Sequence, residues 1–454
     1  MKRIALFGLA AILCMSLSGC GDKPGPDNGD KEGKTKKDFV NPPVDKDPIV
    51  DYTKWEVHDG KFYLDGKWTF IKAAKPLTDY SNPECCENVI GFLDKLREKH
   101  YNAVSLNVDW SVFDSDADGV INKSVEPLRR VIDEIYKRGM LPCLNMGIYS
   151  VGGNAVPAAF YERYPDADAI NEKGEKVNDT EYGFGNRVVS IFHEAYRETS
   201  RKFMKDIISK LDGNKLFYIE TTVEPQYMGA IKLCYSESAR KEYAKWRKEN
   251  GITDPESEMP EGFPIPDSFV KNATWNKFRA QFLARWVNED AEAIRSAAGD
   301  RVKIAVDYLD AGESSMIYRC GDPEEFLMHL TCPDIIQVNW HWYFPERKPN
   351  QKAYDRVWKV MKATGRDWAI TEHMTFNGSD YGFSEPMLDM VLENTLHQGT
   401  RFGWEFTNTF NRDTDSFSLY HTDWTPKRTM ANVDDNWGYW LYRAAEVERE
   451  ISGK

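Results

Sequence analysis

The chain has 454 residues, with 72 Asp and Glu against 59 Lys and Arg and a formal net charge of −13. A polyanion would be repelled on average, which argues against nucleic acid or an anionic polysaccharide as the main ligand. Fourteen Trp and 22 Tyr supply many flat apolar faces of the kind that cover sugar rings, although most such rings in a large domain fill its core.

The chain begins "MKRIALFGLAAILCMSLSGC", with Lys2 and Arg3 ahead of an apolar run from Ile4 to Leu17 that is too short for a stable bilayer span. This pattern is a secretory signal, and 1–19 is excluded from the fold. "LSGC" at Leu17 to Cys20 resembles a bacterial lipobox, so Cys20 is expected to be lipidated and to become the mature N-terminus. Two or more acyl chains anchor a protein stably, and a membrane-anchored lipoprotein of the outer membrane, exposed at the cell surface, is the expectation. From Gly21 onward the chain is rich in Gly, Pro, Asp and Lys, so residues 20–50 are expected to form a flexible tether.

The remaining residues, 51–454, contain no second linker and no repeat of fixed period, so a single large domain is expected. Beyond Cys14 and Cys20 the chain has six cysteines, and no CxxC spacing points to zinc. Short apolar runs alternate with helix-period segments. Strands are expected in "FYLDGKWTFIKA" from Phe62, "NAVSLNVDW" from Asn102, "MLPCLNMGIY" from Met140, "LFYIETTVE" from Leu216, "VKIAVDYL" from Val302, "DIIQVNWHWY" from Asp334, "DWAITEH" from Asp367 and "TRFGWEFTN" from Thr400. Between them, Glu194 to Leu211 carries Tyr196, Phe203, Met204, Ile207, Ile208 and Leu211 on one stripe, with Gly213 as a stop. Eight such alternations predict an α/β fold of the (β/α)8 TIM-barrel type, with an insertion at about 233–273.

Working residues of such barrels sit at the carboxyl ends of the strands. In the fourth run Tyr218, Glu220, Thr222 and Glu224 alternate onto one face and Pro225 follows at once, so Glu224 is expected at the mouth and Glu220 in an interior layer beside a partner. A second carboxylate, Glu372, ends the seventh run. Asp109 and Trp110 after the second strand, and Asp307 and Tyr308 after the fifth, are further candidates for hydroxyl and ring contacts with substrate.

The paired glutamates resemble those of the retaining glycoside hydrolases of clan A, whose acid/base follows strand four and whose nucleophile follows strand seven. Glu220, Thr221, Thr222, Val223, Glu224 and Pro225 are similar to the strand-four pattern of glycoside hydrolase family 5, except that Val223 stands where that family has asparagine. "HWYFP" supplies His341, Tyr343 and Pro345 in a strand-six pattern of the same family. The resemblance implies that Tyr343 bonds the nucleophile, that His341 touches substrate, and that Trp404 is the platform under the sugar. Family 5 also has an arginine on strand two, where this chain has Ser105. The stretch from Leu233 to Gly251 is similar instead to family 42, although only Cys234 of that family's cysteine cluster is present and its zinc is not implied.

"DSDADGVINKSVE" from Asp114 has the spacing that opens an EF-hand loop, but Val125 occupies the closing position and Glu126 falls one residue late. An acidic turn leading into a helix is expected, with no metal and no cofactor. The expected function is two-glutamate retaining hydrolysis of a neutral poly- or oligosaccharide, Glu224 serving as acid/base and Glu372 as nucleophile. The missing arginine and asparagine suggest the alternative of a non-catalytic glycan-binding barrel.

Overall fold

The computed structural model describes residues 34–44, 54–58, 61–149, 156–178, 187–228, 231–309, 313–339, 351–364, 369–373, 388–389, 392–393, 396, 403–407 and 419–452. Eight parallel strands close into one barrel. In chain order they are β4 (Ile71–Lys75), β5 (Ala103–Asp109), β6 (Leu141–Gly147), β7 (Tyr218–Glu220), β8 (Lys303–Leu309), β9 (Ile335–Asn339), β10 (Ala369–His373) and β11 (Gly403–Thr407). Each of the eight expected runs contributes one of them, and β10 and β11 close the ring against β9 and β4.

Ahead of the barrel, β1 (Trp55–His58), β2 (Lys61–Leu64) and β3 (Lys67–Trp68) form a small antiparallel sheet. The run from Phe62 is therefore two structures and not one strand. Asp65 and Gly66 both have positive φ, 48° and 77°, the twist that turns a two-residue hairpin back on itself. Trp55 and Phe62 from this sheet meet Phe217 at ring-centroid distances of 4.7 and 4.5 Å. With Ile71, Ala73, Ala103, Leu141, Cys143, Tyr218, Ala305 and Ile335 they form an apolar plug at the amino end of the barrel. The polar end of the lumen is consequently the carboxyl end.

The larger core lies between the strands and their helices. The helix Glu194–Ser209 buries Tyr196, Phe203, Met204, Ile207 and Ile208 on the expected stripe, and it packs on the long helix Ala273–Ala298. In the 233–273 region the helix Glu237–Glu249 is capped by Ser236, whose side chain accepts from Ala239 N. No helix among the described residues is long and apolar enough to cross a membrane.

The expected tether is not free throughout. Within residues 34–44, Phe39 packs on Tyr439 and Tyr442 with centroids 5.5 and 4.6 Å away. Asn41 Nδ2 donates to Asp434 O at 2.7 Å, and Gly438 N donates to Asn41 Oδ1 at 2.9 Å. A polar segment need not build a core of its own when one aromatic side chain and one amide can dock on an existing helix.

Candidate active site

Alternation along the strands separates two environments. In β8, Asp307 faces the lumen, whereas Tyr308 is 2% exposed on the outer side, its ring stacked on Phe326 at 6.0 Å. In β11, Glu405 faces the lumen, whereas Trp404 is fully buried among Phe70, Phe406, Trp437 and Trp440. Trp110 opens a short helix after β5 and is likewise fully buried against Phe160, Tyr196 and Phe203, its Nε1 donating to Asp114 Oδ2 at 2.8 Å. Trp110, Tyr308 and Trp404 thus belong to the packing between strands and helices and not to a sugar site. For Tyr308 and Trp404 a single step of strand parity from Asp307 and Glu405 decides the case.

Within the lumen Lys75 Nζ lies 3.3 Å from Glu220 Oε2 and 3.5 Å from Glu405 Oε1. Tyr218 Oη donates to Glu405 Oε2, and Gln337 Nε2 lies 3.2 Å from that hydroxyl and 3.3 Å from the same carboxylate oxygen. Burial would lower the ammonium's pKa, but the negative charges of Glu220, Glu405 and Asp307 outweigh it and hold Lys75 above its ordinary value. Burial pushes Glu220 up, against the pull of Lys75 and with help from Glu405. Asp307 is pushed well up by burial and by the nearby Glu220 and Glu224. One ammonium cannot neutralise three buried carboxylates, and Glu220 and Asp307 are both held above their ordinary values. Glu220 therefore occupies the interior layer expected of it, and a cation in that layer comes from Lys75 on the first barrel strand, with Ser105 fully buried on the second.

Above this layer the strand ends earlier than expected. β7 stops at Glu220, and residues 221–224 continue as bends. Val223 is partly buried and packs against the outer core, which accounts for an apolar residue at that position. Glu224 follows with φ 42° and only 6% exposure. A non-glycine residue in the left-handed region is strained and persists where its surroundings over-determine it. Its Oε2 accepts from Gln226 Nε2 at 3.0 Å.

At the end of β5, Asn107 Nδ2 donates to Asp109 Oδ2 at 2.7 Å, while Thr78 N and O bind the same amide at 3.1 and 3.0 Å. Burial raises the Asp109 pKa to about 6, opposed by the Asn107 bond and assisted by Asp79. Gly147, the β6 partner of Asp109, leaves the space this carboxylate fills, since a Cβ there would stand 2.2 Å from Asp109 Oδ1.

In β10, Thr371 stands level with Gln337 and Gly403, Glu372 with Val338 and Trp404, and His373 with Asn339 and Glu405. The backbone of Glu372 is thus one residue short of the end of the seventh barrel strand, in the register row of Trp404, while its side chain lies outside what is described. His341, Tyr343 and Cys20 lie outside the described residues. In the acidic turn, carboxylate oxygens of Asp114, Asp116 and Asp118 lie within 4.8 Å of one another. Buried Asp114 also accepts from Gly119 N at 2.8 Å, and the helix Glu126–Lys137 follows the turn.

Lys75, Glu405, Gln226 and Asn107 escaped the sequence reading. For Lys75 and Glu405 the signal was a charged residue on the inward parity of an otherwise apolar strand, which requires a buried counter-charge.

A family model described as Beta-galactosidase, from glycoside hydrolase family 42, matches residues 87–254. No curated protein matches by sequence. Among solved structures, the catalytic domain of the beta-amylase from Paenibacillus polymyxa superposes with a TM-score of 0.61 at 11% identity, covering 84% of this chain and 98% of that one. The beta-galactosidase from the psychrophilic Marinomonas ef1 gives 0.58 at 13% identity, over 84% of this chain and 60% of that one. The beta-galactosidase from Rahnella sp. R3 gives 0.62 at 12% identity, over 89% and 58%. At such identities these likenesses are ones of fold, and the chain spans about three fifths of either galactosidase. The closed parallel barrel is of the (β/α)8 type, and the part of it that carries the second to fourth strands is similar to the glycoside hydrolase family 42 model.

Proposed function

We propose that the protein is a glycosidase that cleaves a neutral poly- or oligosaccharide with retention of configuration, Glu224 acting as acid/base and Glu372 as nucleophile. The observation that carries the reading is Glu224 itself: a strained, nearly buried carboxylate just beyond the fourth strand, above a lumen whose opposite end is plugged by apolar side chains. Ionised Glu372 attacks the anomeric carbon while protonated Glu224 gives its proton to the departing oxygen. In the second step Glu224 takes a proton from water, which displaces Glu372. In the free enzyme the negative charge of Glu372 favours the protonated form of Glu224. That charge vanishes on glycosylation, and Glu224 can then ionise. Asp109 and Asp307 are the inward-facing groups proposed to meet sugar hydroxyls.

Beta-galactosides are the first substrates to test, given the family match. Lipidation at Cys20, with the enzyme held on the outer membrane, belongs to the same proposal and rests on the "LSGC" stretch. The test is a panel of neutral polysaccharides and aryl glycosides with wild type, Glu224→Ala and Glu372→Ala, with the product anomer followed by NMR. Retained configuration and loss of turnover in both variants are expected. Full activity in either variant overturns the assignment, and binding without hydrolysis across the panel would favour a glycan-binding barrel.

A further inference from the structure

A backbone turn that strains Glu224 must be held by something, and a chain of polar contacts leads away from its carboxylate. Gln226 is 2% exposed and donates from Nε2 to Glu224 Oε2 at 3.0 Å. Its Oε1 accepts from Arg319 Nη1. Arg319 also donates from Nε to Ser315 Oγ at 2.8 Å, and its carbonyl accepts from Tyr227 N at 2.5 Å. The segment before it is tied down by fully buried Arg279. That guanidinium donates to Ile317 O and Tyr318 O at 2.6 and 2.5 Å and lies 4.3 Å from the Tyr227 ring. The path therefore runs from the helix Ala273–Ala298, through residues 317–319, to Gln226 and Glu224.

The chemistry of this path is directional. A guanidinium can only donate, so Gln226 must present its carbonyl to Arg319 and its NH2 to Glu224. An amide already polarised by a cation is a stronger donor. A carboxyl oxygen that receives this N–H bond is not the one carrying the proton. We infer that Gln226, oriented by Arg319, is a positioning residue that confines the acid proton of Glu224 to Oε1 and steadies its carboxylate in the base step. The inference rests on the acid/base reading of Glu224. Among the described residues the carboxylate of Asp307 on β8 also acts on Glu224 through its charge.

The discriminating measurement is the pH dependence of kcat/KM for an aryl glycoside on the full chain. Its basic limb follows the acid form of Glu224 in the free enzyme. Gln226→Met removes the donor with little change of volume, so ionisation becomes harder and the basic limb is expected to move up by about one pH unit. On a substrate whose second step limits turnover, kcat is expected to fall by roughly tenfold while KM changes little, because general-base assistance is what weakens. Arg319→Lys keeps the charge but loses the planar fork and is expected to shift the limb in the same direction by less. Profiles of both variants that superimpose on wild type, at unchanged melting temperature, overturn the relay while leaving Glu224 in place. Full activity in Glu224→Ala overturns the acid/base reading and the relay with it.

Discussion

Lys75 Nζ and Glu220 Oε2, on the first and fourth strands of the barrel, stand 3.3 Å apart across the lumen. Both side chains are almost wholly excluded from solvent, so the attraction is weakly screened and neither partner can be rehydrated if the other is lost. Removing one member of a buried pair costs ~3–5 kcal/mol, chiefly because the survivor is left uncompensated. Lys75→Met is expected to reach that range in urea unfolding, since it strands both Glu220 and Glu405. Glu220→Gln should cost less, because Lys75 retains Glu405 at 3.5 Å. A Lys75→Met midpoint equal to wild type would contradict this account.

Carboxyls buried with raised pKa values make stability depend on pH in a definite direction. Asp290, on the helix Ala273–Ala298, is fully buried and is raised from 3.8 to about 7 by burial, against the pull of Arg201 at 2.8 Å. The folded state binds this proton more tightly than the unfolded state does. Its contribution is therefore fully present below about pH 4 and is lost as pH rises through about 7. Asp109, raised to about 6, acts in the same sense. Melting temperature is expected to fall between pH 5 and pH 8, and Asp290→Asn should flatten part of that fall, Arg201 keeping Glu289 as a partner. A wild-type melting temperature that rises steadily over this interval would refute the sign.

Much of the barrel was legible because strand runs and helix stripes differ in period, and the eight runs became eight strands. Glu220 and Glu224 could be separated because Pro225 bars a strand from passing Glu224, although the strand itself already ends at Glu220. The misreadings have local causes. The Asp65–Gly66 turn broke one apparent strand into a hairpin and a barrel strand. Tyr308 and Trp404 stand one parity step from the inward-facing Asp307 and Glu405, and Trp110 opens a helix beyond its strand, so all three turn into the wall, a distinction that aromatic type at a strand end does not carry. Gln226 and Arg319 stand 93 positions apart, and no local pattern joins an amide after a proline to an arginine that distant.

Gly147 is a space requirement next to a candidate substrate contact. Gly147→Ala would drive a methyl group into Asp109 Oδ1, forcing the carboxylate from its 2.7 Å bond with Asn107. Overpacking of this kind costs ~1–3 kcal/mol. A raised KM is expected as well, matching Asp109→Asn in direction, and Michaelis constants on the best substrate of the panel provide the check. An unchanged KM in both variants would remove Asp109 from the substrate site.

Trp404 separates two roles that one residue can play in a sugar-cleaving barrel. As a platform it would expose a ring face to the cleft, and its removal would weaken substrate binding while leaving the fold intact. Here the ring is fully buried, meeting Phe70 at 5.4 Å and Trp440 at 6.0 Å between centroids, on the helix side of β11. Deleting such a side chain removes its transfer energy and leaves a cavity, ~3–5 kcal/mol for Trp→Ala. Trp404→Ala is therefore expected to lower the unfolding free energy by that amount, and Trp404→Phe by less. In the folded fraction of Trp404→Phe, KM should remain within about twofold of wild type, because a change of ~0.4 kcal/mol or less is what a distant packing site transmits. A large rise in KM at unaltered stability would return the ring to the sugar subsite.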